Sequence, residues 1–361
     1  RENCINAIFN FMDLQNFFPF EVIDSENGMR LDQCLRSRFT EVSRARWTRL
    51  IEEGLFLIGE KPLSPSTRLK TGQIITLSSI QNNQNTESLK EPEGYVGPIP
   101  RVVYEDASLL VIDKPVGLAV HPGSGVALKE TLVSWLLNSE RIKITPAGDS
   151  EFLCWDDRSL EEMRPGIVHR LDRGTSGLLV IAKHPLIHQK LAEQFSQRTA
   201  GRMYQAVVMG SVNVLLHKRP QRLDYFLQKD PSPLALRLDE NKVSFVSYID
   251  RDPANRLRFR VAPAIQGKKA ITHFSQKTAN SQYSLLELKL ETGRTHQIRV
   301  HLSFLGFPIL GDTLYQGTGY SRIMLHARQL SFFHPEKNKI MTFESDWPEN
   351  DLDWLKSENL A

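Results

Sequence analysis

The sequence predicts an α+β protein: a large mixed, mainly antiparallel sheet with helices around it, preceded by a small α+β unit. Three observations carry this. From Arg101 to about Trp347, strand patterns dominate and helical patterns are few and separated. Residues 79–98, SIQNNQNTESLKEPEGYVGP, are polar and nearly free of apolar side chains, so they read as a flexible linker. Residues 30–78 carry helix and strand signals of their own ahead of that linker. At 361 residues, 40% hydrophobic and 24% charged, the chain can bury a full-sized core without staples and has length for two to three domains.

Residues 1–29 read as an irregular lead-in. The apolar patch from Ile8 to Phe20 is interrupted by Asn10, Asp13, Gln15 and Asn16 and preceded only by Arg1, so it does not read as a signal peptide. From Met29 to Leu35 apolar residues recur at helical spacing. Ser43 can cap a second helix, Arg44 to Glu53, which Gly54 ends. Trp47, Leu50 and Ile51 are available to pack inward, and the same helix carries Arg44, Arg46 and Arg49. Leu55–Ile58 then reads as a strand, Gly59–Pro62 as a turn and Gly72–Leu77 as another strand.

Beyond the linker, residues 99–347 form the predicted sheet domain. Leu109–Ile112 is a continuous apolar run of the kind buried on both faces. Ile167–His169 and Leu178–Ala182 flank a tight loop. A helix from about Leu186 to Gln197 leads to a strand at Tyr204–Met209. Leu286, Leu288 and Leu290 alternate with Glu287, Lys289 and Glu291, a half-buried strand of period two. Residues 138–164 hold few apolar positions and read as a surface excursion, and 348–361 as an acidic tail.

Charge is unevenly distributed. Residues 1–29 carry a net −4 and 344–361 a net −5, so the middle carries +12 although the whole chain is only +3. A basic body between acidic ends suits a polyanion; thinly spread solubilising charge is the plainer alternative. Residues 30–78 alone hold nine basic and five acidic side chains. Cys4, Cys34 and Cys154 are odd in number and far apart, which argues against a disulfide framework or a cysteine zinc site and for a reducing, cytoplasmic setting. No run approaches the ~18 apolar residues of a membrane span. His184 and His188 are four apart, but Pro185 lies between them and no third ligand is evident, so no metal is expected.

Two segments could carry chemistry. In His169-Arg170-Leu171-Asp172-Arg173-Gly174-Thr175-Ser176-Gly177, one carboxylate stands between two arginines on a loop held by apolar strands. Nearby arginines would keep Asp172 ionised, and a positioned carboxylate can be a nucleophile; a structural turn with an Asp–Arg pair reads as well. In Glu291-Thr292-Gly293-Arg294-Thr295-His296-Gln297-Ile298-Arg299-Val300-His301, a glycine breaks the strand. Two arginines and two histidines follow, and the spacing predicts a helix turn from Arg294 with an anion-friendly start.

The order of elements in 30–78, two helices with Ser-Arg at the start of the second and then a hairpin, resembles the S4 RNA-binding module. Arginines along a helix beside a hairpin suit a grip on structured RNA, with Arg44, Arg46, Arg49 and Lys61 as the contacts. HRLDRGTSGLLVIAK, MYQAVV and LETGRTHQIRVHLSFLGFPILGD together resemble the RluA-type family of RNA pseudouridine synthases over about Arg101 to Pro335. The stretch Asp113-Lys114-Pro115-x-Gly117-x-x-Val120-His121-Pro122-Gly123 is most similar to the RluD branch, which acts on large-subunit ribosomal RNA.

The resemblance implies roles. Asp172 matches the catalytic aspartate, Arg299 the basic residue paired with it, and Tyr204 the tyrosine stacked near the base. Arg170 matches a side chain that fills the space of an extruded nucleotide, and Ile298 an apolar contact to the base. Arg294 is a further substrate contact. No cofactor is required. The expected partner is RNA, ribosomal rather than transfer RNA, met by a monomer. Taken singly, Tyr204 and Ile298 fit core positions, and His121 and His169 fit structural histidines. A catalytically silent RNA-binding or ribosome-assembly factor is the alternative; the full set of Asp172, Tyr204 and Arg299 favours the enzyme. A phosphate-binding hydrolase lacks any metal cluster or P-loop.

Overall fold

The computed structural model describes residues 17–39, 44–52, 54–78, 94–123, 125–142, 166–213, 235–239 and 242–361. The chain divides into two compact units, 1–88 and 89–361.

The first unit builds a four-stranded sheet from β1 (Phe20–Glu21), β2 (Phe56–Ile58), β3 (Lys61–Pro62) and β4 (Ile74–Leu77), in the order β1-β4-β2-β3. Its helices are Leu31–Arg38 and Arg44–Glu52. Leu31, Leu35, Trp47, Ile51, Phe56 and Ile75 are fully buried together. The lead-in departs from expectation, since Phe20 pairs with Ile75 and Phe20 and Val22 join this core. A two-residue strand is too short to show a period, so only the pairing reveals it. Lys61 is exposed on β3. The side chains of Arg44, Arg46 and Arg49 lie outside the described residues.

The second unit is one eleven-stranded sheet. Its main path runs β11 (Phe259–Val261), β10 (Lys242–Arg251), β12 (Lys268–Ala279), β13 (Tyr283–Leu290), β8 (Gly201–Met209), β14 (Leu325–Phe333), β7 (Ser176–Ala182), β6 (Leu109–Lys114) and β5 (Arg101–Glu105). β9 (Ala235–Asp239) pairs with β10, and β15 (Ile340–Glu344) with β14. Every pairing among these strands is antiparallel except β7 with β14.

Period two decides which face each residue covers. Leu110, Ile112, Leu179 and Ile181 enter the larger core, whereas Leu109, Val111, Leu178, Val180 and Ala182 enter a second core on the opposite face. Ile187 and Leu191 of the helix Pro185–Gln197 close that second core. With both faces covered, β6 and β7 have to be apolar throughout.

Gly177 stands where β7 meets β14, at φ 113°, and a Cβ there would lie 2.4 Å from the Ala327 carbonyl oxygen. That position accepts only glycine, and it allows the close parallel pairing of β7 with β14 five residues after Asp172.

Three further expectations change. Residues 94–98 are not free linker: Tyr95 packs on the large core, and Val96 N–H donates to the Lys129 carbonyl at 3.0 Å. Residues 349–357 are a helix, not an acidic tail. Leu355 and Leu360 are buried, and Asp351 accepts from the Tyr320 hydroxyl at 3.0 Å. Net charge concealed the apolar residues Trp354, Leu355 and Leu360. The expected excursion at 138–164 starts only at the last residue of a buried helix, Leu132–Asn138, its Ile142 is buried in the large core, and residues 143–165 lie outside the described residues. No helix among the described residues is long and apolar enough to cross a membrane.

Candidate active site

Asp172 sits on the loop between Ile167, which bridges to Ile181, and β7. Thr175 N–H closes a turn onto the Asp172 carbonyl at 3.0 Å. A second loop braces it. Arg173 Nε donates to the Gly117 carbonyl at 2.9 Å, and Gly117 N–H donates back to the Arg173 carbonyl at 2.8 Å. Lys114, fully buried, donates to the Pro115 and Leu118 carbonyls at 2.9 Å each and so fixes that bracing loop. Burial pulls the Lys114 ammonium down to about 7, with the Asp172 charge opposing the shift.

The neighbouring arginines are therefore not the partners of Asp172. Arg173 turns to Gly117, and Arg170 is exposed at the cavity rim. The cation that reaches Asp172 is Arg299, 127 residues away, with Nη1 3.5 Å from Oδ2. Its helix runs Gln297–Phe304, three residues later than the spacing predicts. The Gln297 carboxamide displaces the start: Oε1 accepts from Thr292 Oγ1 and Arg294 N–H, and Nε2 donates to the Ile271 carbonyl. Arg294 thus lies before the helix and donates from Nε to the Lys269 carbonyl at 3.0 Å.

Arg299 is itself held by Asp312, the last residue of the LETGRTHQIRVHLSFLGFPILGD stretch, to which the sequence reading gave no role. Nε and Nη2 donate to the two carboxylate oxygens at 2.7 and 2.8 Å, a two-point fork. Both side chains are almost wholly buried. Asp312 follows Gly311, which is at φ +78° with a Cβ position 1.8 Å from the Arg322 carbonyl oxygen, so the turn that aims Asp312 needs glycine. The Arg299 guanidinium also lies over the Tyr315 ring, 4.9 Å from its centroid. Pairing with Asp312 and Asp172 holds Arg299 charged against the cost of burial.

These groups line a cavity of about 410 Å³ shared by the two chemistry-bearing segments. Asp172, Arg170, Arg294, Ile298 and Arg299 all border it, as does Tyr204 from β8. Tyr204 and Ile298 are nearly buried, and burial pushes the Tyr204 hydroxyl up, so it is neutral near pH 7. Arg202 and His296 also face the cavity, and neither has a role assigned from sequence. His169 is structural: its Nε2 accepts from Val180 N–H at 3.1 Å and its ring stacks on Phe195. His184 and His188 each reach a backbone carbonyl, at Ala107 and Ile167. Among the described residues no group of three His, Cys, Asp or Glu side chains is placed to hold a metal.

A polar cavity with one anchored carboxylate, on a mainly antiparallel sheet, agrees with the sequence comparison. The chain belongs to the RNA pseudouridylate synthase family, whose pattern matches residues 108–304, and it is an RNA pseudouridine synthase. Among its relatives, the ribosomal large subunit pseudouridine synthase D of Zymomonas mobilis is 33% identical over 337 residues, covering 90% of this chain and 92% of that protein. An uncharacterized RNA pseudouridine synthase of Aquifex aeolicus is 34% identical, covering 94% and 96%. The ribosomal large subunit pseudouridine synthase D of Pseudomonas aeruginosa is 32% identical, covering 94% and 93%.

Proposed function

We propose that this enzyme converts uridines of large-subunit ribosomal RNA to pseudouridine, with Asp172 as the catalytic carboxylate. The observation that carries the reading is the buried chain Asp312–Arg299–Asp172, which ends in a cavity of about 410 Å³, within the usual size of a small-ligand site. The choice of RNA rests on the relatives from Zymomonas and Pseudomonas, whose names specify the ribosomal large subunit.

A uridine inside folded RNA must leave its stack before its glycosidic bond can be reached. Arg170, exposed at the rim, takes the vacated space. Tyr204 and Ile298 hold the flipped pyrimidine, and Arg294 meets the backbone beside it. Asp172 acts at C1′, as a nucleophile or by assisting departure of uracil. The C1′–N1 bond breaks, the uracil turns, and C5 bonds to C1′, in the nucleophilic route displacing the Asp172 carboxylate as the Asp172 O–C1′ bond breaks. C5 then loses its proton and N1 gains one, so the RNA keeps its composition. Tyr204, a neutral phenol near the base, relays the C5 proton. These steps call on no cofactor.

The first unit serves as an S4-like docking module, with Lys61 and the arginines of the helix Arg44–Glu52 touching phosphates. The acting species is proposed to be a monomer. The test is to map pseudouridine in ribosomal RNA treated with wild type or Asp172→Asn protein. Wild type adds pseudouridine at defined sites, and the Asn variant binds RNA but adds none. A variant converting uridine at a near-normal rate refutes the assignment of Asp172.

A further inference from the structure

His296 holds a backbone conformation that is uncommon outside glycine. It sits at φ 56°, immediately before the helix Gln297–Phe304. Outside glycine, that left-handed region is populated chiefly by Asn, Asp and His, and such a backbone at a reaction cavity points to work done by the side chain.

The hydrogen bonds around the ring fit one tautomer. Phe259 N–H donates to the Tyr315 hydroxyl oxygen at 2.8 Å. That hydroxyl lies 2.9 Å from His296 Nδ1. Burial raises the phenol to about 12, so it keeps its proton. The Phe259 N–H takes one lone pair of that oxygen and leaves the phenolic proton free to be donated to Nδ1. Burial also lowers the imidazole from its ordinary value, so the ring is neutral and its one N–H is on Nε2. The Phe259 and Tyr315 rings, each 5.6 Å away and edge-on, fix the plane.

Nε2 lies 3.9 Å from Asp172 Oδ2. The same oxygen is the one 3.5 Å from Arg299 Nη1. Both of these shortest contacts fall on Oδ2, and no hydrogen bond among the described residues reaches Oδ1. Such contacts are commonly long in the free enzyme and tighten when substrate arrives. We propose that His296 is a positioning residue that, with Arg299, grips Oδ2 of Asp172 and presents Oδ1 to the flipped nucleotide. The inference rests on the reading of Asp172 as the reactive carboxylate.

A Gln side chain can set its amide N–H where Nε2–H stands, but it loses the acceptor for Tyr315. An Asn keeps an acceptor near Nδ1 and suits the positive φ, but it falls short of Asp172. Full-length wild type, His296→Gln and His296→Asn are compared by tritium release from large-subunit ribosomal RNA transcribed with 5-tritiated uridine. Melting temperatures are measured alongside. His296→Gln should keep kcat within about threefold of wild type, whereas His296→Asn loses about 100-fold in kcat at little-changed KM, the scale of a misaligned reacting group. The Asn variant should do so while melting no lower than the Gln variant. An Asn variant turning over as fast as the Gln variant overturns the proposal, because a purely structural role is met by Asn, which tolerates this backbone better than Gln. If neither variant folds, Tyr315→Phe decides: it removes the proton donated to Nδ1 and should lower kcat about tenfold, and an unchanged kcat overturns the relay. Release by wild type but equally by Asp172→Asn overturns the underlying assignment of Asp172 instead, and no release by wild type overturns the choice of RNA.

Discussion

Replacing Arg299 with Met keeps most of the side chain's volume and removes its charge. Two carboxylates are deprived of their partner at once. Asp312, 1% exposed, is left without a fork of two bonds at 2.7 and 2.8 Å, and Asp172, 16% exposed, without a guanidinium at 3.5 Å. At an effective dielectric of about 20, unit charges about 4 Å apart attract by about 4 kcal/mol. The cost of stranding one half of a buried pair is similar, about 3–5 kcal/mol. Most of this cost falls on Asp312, because it has the shorter bonds and the least water. Arg299→Met should therefore unfold in urea at about 3–5 kcal/mol lower stability and lose nearly all isomerase activity. Arg294→Met is the control. Arg294 is largely exposed and donates only to the Lys269 carbonyl, so its replacement should change stability by about 0.5 kcal/mol or less, as is usual for surface sites. Urea titration followed by tryptophan fluorescence gives the stabilities, and tritium release gives the activities. An Arg299→Met protein within about 1 kcal/mol of wild type, or equal activity of the two variants, refutes the reasoning.

Removal of residues 1–88 should leave a folded synthase that binds RNA more weakly and with a shallower dependence of log affinity on log salt, by about 0.7–0.9 for each phosphate the first unit neutralises. A fragment that fails to fold contradicts the division into units, and an unchanged slope contradicts the docking role. Acid should destabilise the large unit before its carboxylates titrate. Burial lowers His169 and His301 to about 3, so between pH 6.5 and 3 the unfolded chain binds protons that the folded one does not, and stability falls as pH falls. Each histidine contributes up to about 1.4 kcal/mol per pH unit below 6.5, and a flat unfolding profile from pH 6.5 to 4.5 would sink the argument.

The sequence by itself determined the local elements and the chemistry they carry. The alternation of Leu286, Leu288 and Leu290 became β13, and the continuous apolar runs became β6 and β7, because side-chain period reports directly on how many faces are covered. Asp172, Tyr204, Ile298 and Arg299 were legible through their motifs, and they do border one cavity. Charge counting was a poorer guide. It marked the last fourteen residues as a tail, although a few apolar side chains suffice to dock them as a helix.

The resemblance already paired Arg299 with Asp172; only the tertiary structure decided what anchors that pair and where the neighbouring arginines go. Adjacency in sequence put Arg170 and Arg173 beside Asp172, yet side chains one apart on an irregular loop point in different directions, and Arg173 was drawn to the Gly117 carbonyl. The true partner arrives on a helix 127 residues on, and its own anchor, Asp312, comes from a turn beyond that helix. The relay from Phe259 through Tyr315 to His296 joins three separate elements in the same way. Such pairings have no period to read. They exist because the sheet, closing on its two cores, brings distant strand ends and loops to one place, and a buried charge then keeps whichever partner the packing sets within reach.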